Sequence, residues 1–436
     1  MKRLAFVFGL LAGTCLADEV PRAVSDADYA PIDLSLVRLG QLLFYDSVLS
    51  GNREVACATC HHPRFATSDG LSLGLGDGGV GLGPERRVDP ENLPEQRIPR
   101  NSPALFNLGA KEFTVLFHDG RIEVDMSRPS GIRTPLGSEM EAGFASLLSA
   151  QTMFPVLSPD EMAGHYQENE IAKAVRQGRI TGPGGAWDLI ATRVTEIPAY
   201  SDGFAEAVPE IGAGRPIRFT DISDAVAAFM AHEWRSDDSP FDAHLRGTAP
   251  LSGQAAEGFD LFYGRAGCSG CHAGPFQTDH AFHATGQPQL GPGKAARFER
   301  HQRDVGRMRV TGREQDAFAF RTPSLRNVTR TGPWGHAGAF TDLAAFLRYH
   351  TAPATVAYAP AAVLPALPGA ADDWATWQAA AERDAILAAV DVPPVRLTGS
   401  EIDALLAFLE SLSDPIALSG RLGVPGSVPS GLPVPR

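Results

Sequence analysis

The chain has 436 residues, 44 % of them hydrophobic, with 38 Lys and Arg against 51 Asp and Glu and a formal net charge of −13. An acidic surplus of this size excludes nucleic acid as a partner and suits a neutral or basic one. The 45 Gly and 34 Pro point to long irregular connections between helices, and the length suits two or three domains.

Met1-Lys2-Arg3, the apolar run Leu4 to Ala12 and the small residues up to Ala17 have the pattern of a secretory signal peptide, cleaved after Ala17. The run is too short to span a bilayer, and no later stretch is long and apolar enough to do so. The mature protein is therefore expected in the periplasm, without a transmembrane segment. Removing residues 1–17 takes away Lys2 and Arg3, which moves the net charge from −13 to about −15.

Four cysteines remain, in two pairs. Leu43-Phe44-Tyr45 precedes Cys57-Ala58-Thr59-Cys60-His61, and Leu261-Phe262-Tyr263 precedes Cys268-Ser269-Gly270-Cys271-His272. Cys-x-x-Cys-His is the attachment pattern of c-type haem: both thiols add to the haem vinyl groups, and the next residue, His, lies under the iron. Zinc would account for the thiols but not for a His directly after each pair. Two covalent haems are expected, with His61 and His272 as proximal ligands.

Between Asp69 and Arg100 the Gly and Pro content and the lack of periodicity indicate a long loop. From Pro63 to Arg100 it contains no His, Met, Lys, Cys or Tyr, so it offers the first iron no strong second ligand. Arg100-Asn101-Ser102-Pro103-Ala104-Leu105-Phe106-Asn107 leads to His118-Asp119-Gly120; later, Arg321-Thr322-Pro323-Ser324-Leu325-Arg326-Asn327 leads to His336-Ala337-Gly338. The chain repeats itself, and the expected fold is mainly α: two cytochrome c-like domains with one haem each. The expected division is a signal peptide 1–17, an N-terminal domain 18–220, a C-terminal domain 221–415 and a tail 416–436 that wraps or frays.

Helical periodicity marks Asp221 to His232, and Glu401 to Leu412 with Ser400 as N-cap. Ala352 to Pro368 reads as a surface insertion. Before it, Thr341 can cap a helix with Leu343, Phe346 and Leu347 on one face; His350, seven residues beyond Leu343, shares that face and Tyr349 turns away. An inward imidazole needs a partner such as iron; counted from His336-x-Gly, the pattern of the di-haem peroxidases that the chain resembles implies His350 as the second axial ligand of the second haem. The competing reading is a histidine favoured by the helix dipole, and Tyr349 and Met308 are the other ligand candidates.

The chain resembles the bacterial di-haem cytochrome c peroxidases and the related MauG group from about Leu36 to Asp414. The most specific segments are the two haem motifs, Arg100 to Pro103, Phe117-His118-Asp119-Gly120-Arg121, Gln151 to Met162, Phe282-His283, Arg321 to Asn327 and Thr331-Gly332-Pro333. The resemblance implies a peroxide-reacting N-terminal haem and an electron-transferring C-terminal one. It implies Gln151 and Glu161 as the distal pair, and a calcium ion held by the Asn101 side chain and the carbonyls of Thr331 and Pro333. Read without it, Asn101 is a turn residue and Glu161 an exposed loop charge. Glu161 as a poorly hydrated carboxyl can move the proton that O–O cleavage needs.

One departure stands out. His118 replaces the family's usual inter-haem Trp, which puts a hopping pathway there in doubt; Trp334 is an alternative relay. The function implied is a peroxidase reducing hydrogen peroxide with electrons from a small periplasmic donor, a cytochrome c or cupredoxin. The alternative is a MauG-like enzyme that oxidises residues of a partner protein, and the third reading is a non-enzymatic electron carrier. A homodimer is one allowed assembly.

Overall fold

The computed structural model describes residues 20–294 and 301–436. The expected signal peptide, residues 1–17, lies outside the described residues. The fold is mostly short helices, and the strands are confined to brief antiparallel pairings: Gly79–Val80 with Arg87–Val88, a three-stranded meander of Val115–Leu116, Ile122–Val124 and Ile132–Arg133, and Phe282–His283 with Phe320–Arg321.

Helix α1 (Leu34–Tyr45) starts at Asp33, whose carboxylate accepts the backbone N–H groups of Ser35 and Leu36. Val37, Gly40, Leu43 and Phe44 form its buried face. That face crosses α3 (Phe219–Glu233), which buries Ile222, Ala225, Val226 and Phe229. Between them, α2 (Leu147–Thr152) is capped by Ser146. The same crossing recurs in the second half, where α4 (Gly253–Phe262) meets α6 (Gly399–Glu410). In both, the point of contact is a glycine. A Cβ on Gly40 would overlap the Ala225 carbonyl and press on Phe229, and one on Gly258 would overlap the Ala404 carbonyl and press on Phe408.

The repeated asparagines lock these crossings. Asn107 and Asn327 both have positive φ, 61° and 63°. Asn107 donates its N–H to the Trp234 carbonyl and accepts from the Ser236 N–H, just beyond α3. Asn327 donates to the Leu412 carbonyl and accepts from the Asp414 N–H, just beyond α6. The sequence repeat is thus also a repeat of packing.

Several local expectations are corrected. The helix expected to open the second domain at 221 runs from Phe219 and packs in the first core with Val37, Leu43 and Phe44, because its apolar face is complementary to α1. Helix α6 starts at Gly399, and Thr398, not Ser400, caps it: Thr398 and Glu401 exchange side chain-to-backbone bonds in a capping box, which leaves Ser400 already helical. Helix α5 (Leu343–His350) is capped by Asp342, not Thr341, through a 2.7 Å bond from the Ala345 N–H.

The glycine-rich loop after the first motif is an internal structure, with Leu71, Leu73 and Leu75 all buried. The insertion that follows α5 holds it down. The Ser72 N–H donates to the Val363 carbonyl, and the Ser72 hydroxyl accepts from the Val363 N–H while donating to Gly338. The 352–368 segment is therefore a clamp as well as a surface feature. The tail wraps back onto the first core: Gln41 donates to the Gly423 carbonyl, Ser430 to Asp46, and Glu233 accepts from the Leu422 and Gly423 N–H groups.

Candidate active site

Cys57–Cys60 forms a single helical turn, closed by the Thr59 hydroxyl accepting the Ala56 N–H. His61 follows, with Nδ1 2.9 Å from the Thr67 carbonyl. A carbonyl only accepts, so Nδ1 carries the proton and the Nε2 lone pair is free for a metal. The second motif repeats the device: Cys268–Gly270 forms a 3-10 turn, and His272 Nδ1 lies 3.2 Å from the Gln277 carbonyl. Thr67 and Gln277 both have positive φ, 64° and 49°, which turns each carbonyl onto its imidazole. Burial lowers the pKa of both histidines and favours the neutral, ligating form. Burial also pushes Cys57 and Cys60 up to about 12 and Cys268 to about 11, so the free thiols stay protonated.

His350 lies at the end of α5 and faces His272, with ring centroids 6.4 Å apart. Two metal–imidazole bonds of about 2.1 Å end to end, plus half a ring on each side, span roughly 6 Å. The spacing fits one iron between the two rings. Burial, and then His272, push His350 down to about 4. Tyr349 is engaged elsewhere, its hydroxyl donating to the Gly286 carbonyl at 2.8 Å. Met308 opens a separate short helix, Met308–Thr311.

Glu161 sits in a π-helical turn, Pro159–Ala163, a local geometry common at functional sites. Burial raises its pKa above the ordinary range, and the nearby cations Lys294 and Arg121 counter part of that rise. Its backbone packs against Gly76 in the loop after the first motif, and the residue is half-buried, not an exposed loop charge. Gln151, near the end of α2, has a buried amide oxygen with no hydrogen-bond partner among the described residues. An orphaned acceptor of this kind fits a site built for an absent group.

Residues 35–250 match the family model described as di-haem cytochrome c peroxidase. The methylamine utilization protein MauG of Methylorubrum extorquens is 30 % identical over 334 residues, covering 76 % of this chain and 72 % of the relative. The chain belongs to the di-haem cytochrome c peroxidase and MauG family. Cytochrome c551 peroxidase of Pseudomonas aeruginosa is 28 % identical over 331 residues, 76 % of this chain and 75 % of that one. Among solved structures, a MauG-like protein associated with microbial copper homeostasis superposes with a TM-score of 0.58 at 24 % identity, covering 94 % of this chain and 97 % of the other. The di-haem peroxidase BthA Y463M variant of Burkholderia thailandensis does so with 0.56 at 22 %, covering 92 % and 91 %. Membership makes the chain an oxidoreductase and implies two haem c groups, which the two histidine settings fit.

Arg100, Asp119 and Asp304 form a buried ionic network. Arg100 Nη1 is 2.7 Å from Asp119 and its Nε 2.6 Å from Asp304. Burial alone would raise both carboxyls, but Arg100 holds Asp304 at about 2 and Asp119 lower still. His118 and His336, equivalent positions in the two repeats, both lie in the field of Arg100 and are kept neutral by burial, His336 at about 4. His336 stacks on Phe320 with centroids 3.9 Å apart, and neither of its ring nitrogens has a hydrogen-bond partner among the described residues. Asn101 donates its backbone N–H to His336 and its side-chain amide to Leu71, which leaves the amide oxygen free of that bond. Thr331 and Pro333 flank Gly332, whose bond to Pro333 is cis, and Trp334 donates to the Val328 carbonyl.

Two residues in this region escaped the sequence reading. Burial lowers Arg321 to about 10, and among the described residues it pairs with no carboxylate; it donates to the carbonyls of Phe117 and Thr322. A half-buried, desolvated guanidinium that meets no carboxylate among the described residues fits a propionate-bearing cofactor. Lys294 comes from the second half to act on Glu161 of the first. Nothing local in the sequence around either residue signals that role.

Proposed function

We propose that this chain is a periplasmic di-haem peroxidase. Hydrogen peroxide is reduced at the haem held by Cys57, Cys60 and His61, and the electrons arrive through the haem held by Cys268, Cys271, His272 and His350. The observation that carries this reading is the half-buried Glu161, whose backbone packs against Gly76 of the loop after the first motif, a loop that offers no competing iron ligand. When bound, the first haem supplies the iron at which the peroxide O–O bond is cleaved.

The remaining steps fall to the protein. Glu161 accepts the proton of the inner peroxide oxygen and returns it to the outer one, which leaves as water. Its raised pKa brings the two transfers closer in energy than a solvent-exposed carboxyl would. The Gln151 amide orients the peroxide. The overall balance is one peroxide, two electrons and two protons giving two waters. The Ser72 contacts to Val363 and Gly338 keep the loop after the first motif packed, so no segment has to leave before peroxide binds.

We further propose that the repeat forms two cytochrome c-like units, and that Asn101, Thr331 and Pro333 offer oxygen ligands to a calcium ion, a hard cation. The acidic net charge supports a basic donor, a small cytochrome c or cupredoxin. The MauG-like alternative draws on His350: two imidazoles give a lower potential than a His–Met pair, which disfavours a high-potential donor. The test is turnover with a reduced small cytochrome c. Oxidation of two cytochromes per peroxide is expected, and a holoenzyme that consumes no peroxide would overturn the reading.

A further inference from the structure

Three imidazoles are candidates for iron, and each turns its Nδ1 to another group of the protein. His61 meets the Thr67 carbonyl and His272 the Gln277 carbonyl, both of them backbone groups. His350 differs. Its Nδ1 lies 3.5 Å from the side-chain amide nitrogen of Gln287, 63 residues away in the chain. Both residues are half-buried. Two glycines place the amide. Gly286 has φ 65° and its carbonyl accepts the Tyr349 hydroxyl at 2.8 Å, which ties this loop to the residue beside His350. Gly335, with φ 91°, leaves room for the amide: a Cβ there would come within 3.3 Å of the Gln287 oxygen. That oxygen is buried and has no hydrogen-bond partner among the described residues.

The heading of the amide decides what the imidazole can do. With the amide nitrogen facing it, Nδ1 must be the bare, accepting nitrogen, and the neutral ring then carries its proton on Nε2. Such a ring has no lone pair left for iron on the edge away from Gln287. Half a turn about the last side-chain bond exchanges the amide nitrogen and oxygen and brings the oxygen to Nδ1. The oxygen then accepts Nδ1–H, and the Nε2 lone pair is free. The turn breaks no hydrogen bond of the oxygen to the described residues, because it makes none. Phe346 does not supply this control. It stacks on His350 with planes 13° from parallel, and a stacked ring can still turn within its own plane. A bond to one ring atom fixes which edge faces His272.

We propose that Gln287 is the positioning residue of His350: its amide oxygen accepts Nδ1–H, fixes the tautomer and heading of the ring, and makes the imidazole a stronger electron donor to iron. The inference rests on the reading of His350 as an axial ligand of the second haem. A stronger donor favours the ferric state, so Gln287 keeps the potential of that haem low. It thereby selects low-potential electron partners. The outer bonds of His61 and His272 come from the backbone, so this is the one of the three that a side-chain substitution removes directly.

The test compares Gln287→Met and Gln287→Glu with the native holoenzyme, by redox titration of the second haem and by low-spin electron paramagnetic resonance. Met keeps the length of the side chain and removes the acceptor; Glu keeps the shape and strengthens the acceptor. Losing the outer hydrogen bond of a ligating His costs about 10- to 100-fold in metal affinity. If the ferric state bears about tenfold of that, Gln287→Met raises the potential by about 59 mV, the one-electron equivalent of tenfold. Gln287→Glu should lower it and narrow the spread of the low-spin g values. A second haem that turns high-spin in Gln287→Met and stays low-spin in Gln287→Glu would also support the positioning role. Potentials that match the native protein, or that shift the same way in both variants, overturn the inference. So does a lowered potential in Gln287→Glu with native g values, since that is a charge acting at a distance, and so does loss of the low-spin signal in both. His350→Ala separates the two claims: a low-spin signal that survives it overturns the ligand reading together with the inference. A signal lost in His350→Ala but native in both Gln287 variants overturns the inference alone.

Discussion

Glu161 offers the sharpest test of the proposed chemistry. Glu161→Gln keeps the size and hydrogen-bonding capacity of the side chain and removes only its ability to carry a proton. Positioned acid–base help contributes about 10²- to 10⁴-fold, so the peroxide reaction should slow at least about a hundredfold, near 2.7 kcal/mol of barrier. The structure adds a pH signature. Burial raises the Glu161 pKa, while Lys294 and Arg121 hold it down. The carboxylate must be ionised to accept the peroxide proton, so the rate should fall as pH drops through a pKa above the ordinary glutamate range. Lys294→Met removes one restraining cation and should move that acid limb to higher pH; Glu161→Gln should abolish it. Stopped-flow absorbance on the oxidised holoenzyme measures both. An unchanged rate in Glu161→Gln, or an acid limb that survives in it, would refute the role.

Replacing His350 by Ala should convert the second haem from low-spin to high-spin in electron paramagnetic resonance; a signal that survives this change but is lost with Tyr349→Phe or Met308→Leu would reassign the ligand. Arg100→Met leaves Asp304 buried without its cation and Asp119 with Arg121 alone, and breaking such a pair costs about 3–5 kcal/mol in denaturant unfolding. In the native chain these carboxyls have depressed pKa values, so their stabilisation is present above the unfolded carboxylate pKa and is lost as pH falls through the folded one. The deficit of Arg100→Met should therefore be largest near neutrality and shrink below about pH 4; a deficit independent of pH would argue against the ionic origin. Asn101→Ala should weaken calcium binding in titration calorimetry of chelator-treated holoenzyme, and unchanged affinity would remove Asn101 from the ligand set.

Much of this molecule can be read from local pattern because its chemistry is local. Cys57 to His61 and Cys268 to His272 declare themselves by spacing, and the paired Pro-x-Leu-x-Asn segments declare the repeat. What the pattern misses depends on tertiary packing. Thr67 and Gln277 orient the histidines through backbone carbonyls, which any residue type provides. Phe219–Glu233 joins the first core because its face fits α1, a match visible only when both helices are placed. The glycine-rich loop looks solvated in sequence, yet three alternate leucines and the Ser72–Val363 clasp bury it. Lys294 acts on Glu161 across more than a hundred residues, where no spacing rule applies. The caps at Asp342 and Thr398 were each misplaced, by one and two residues, because neighbouring Thr and Ser are equally good candidates until backbone angles are known.

The central claim is that the haem at His61 is open to peroxide in the fully oxidised protein. The direct measurement is electron paramagnetic resonance of the oxidised holoenzyme before and after one equivalent of hydrogen peroxide, with no reductant present. The account predicts a high-spin signal from the first haem that peroxide consumes at once. Two low-spin signals, with no response to peroxide until one electron is added, would contradict it.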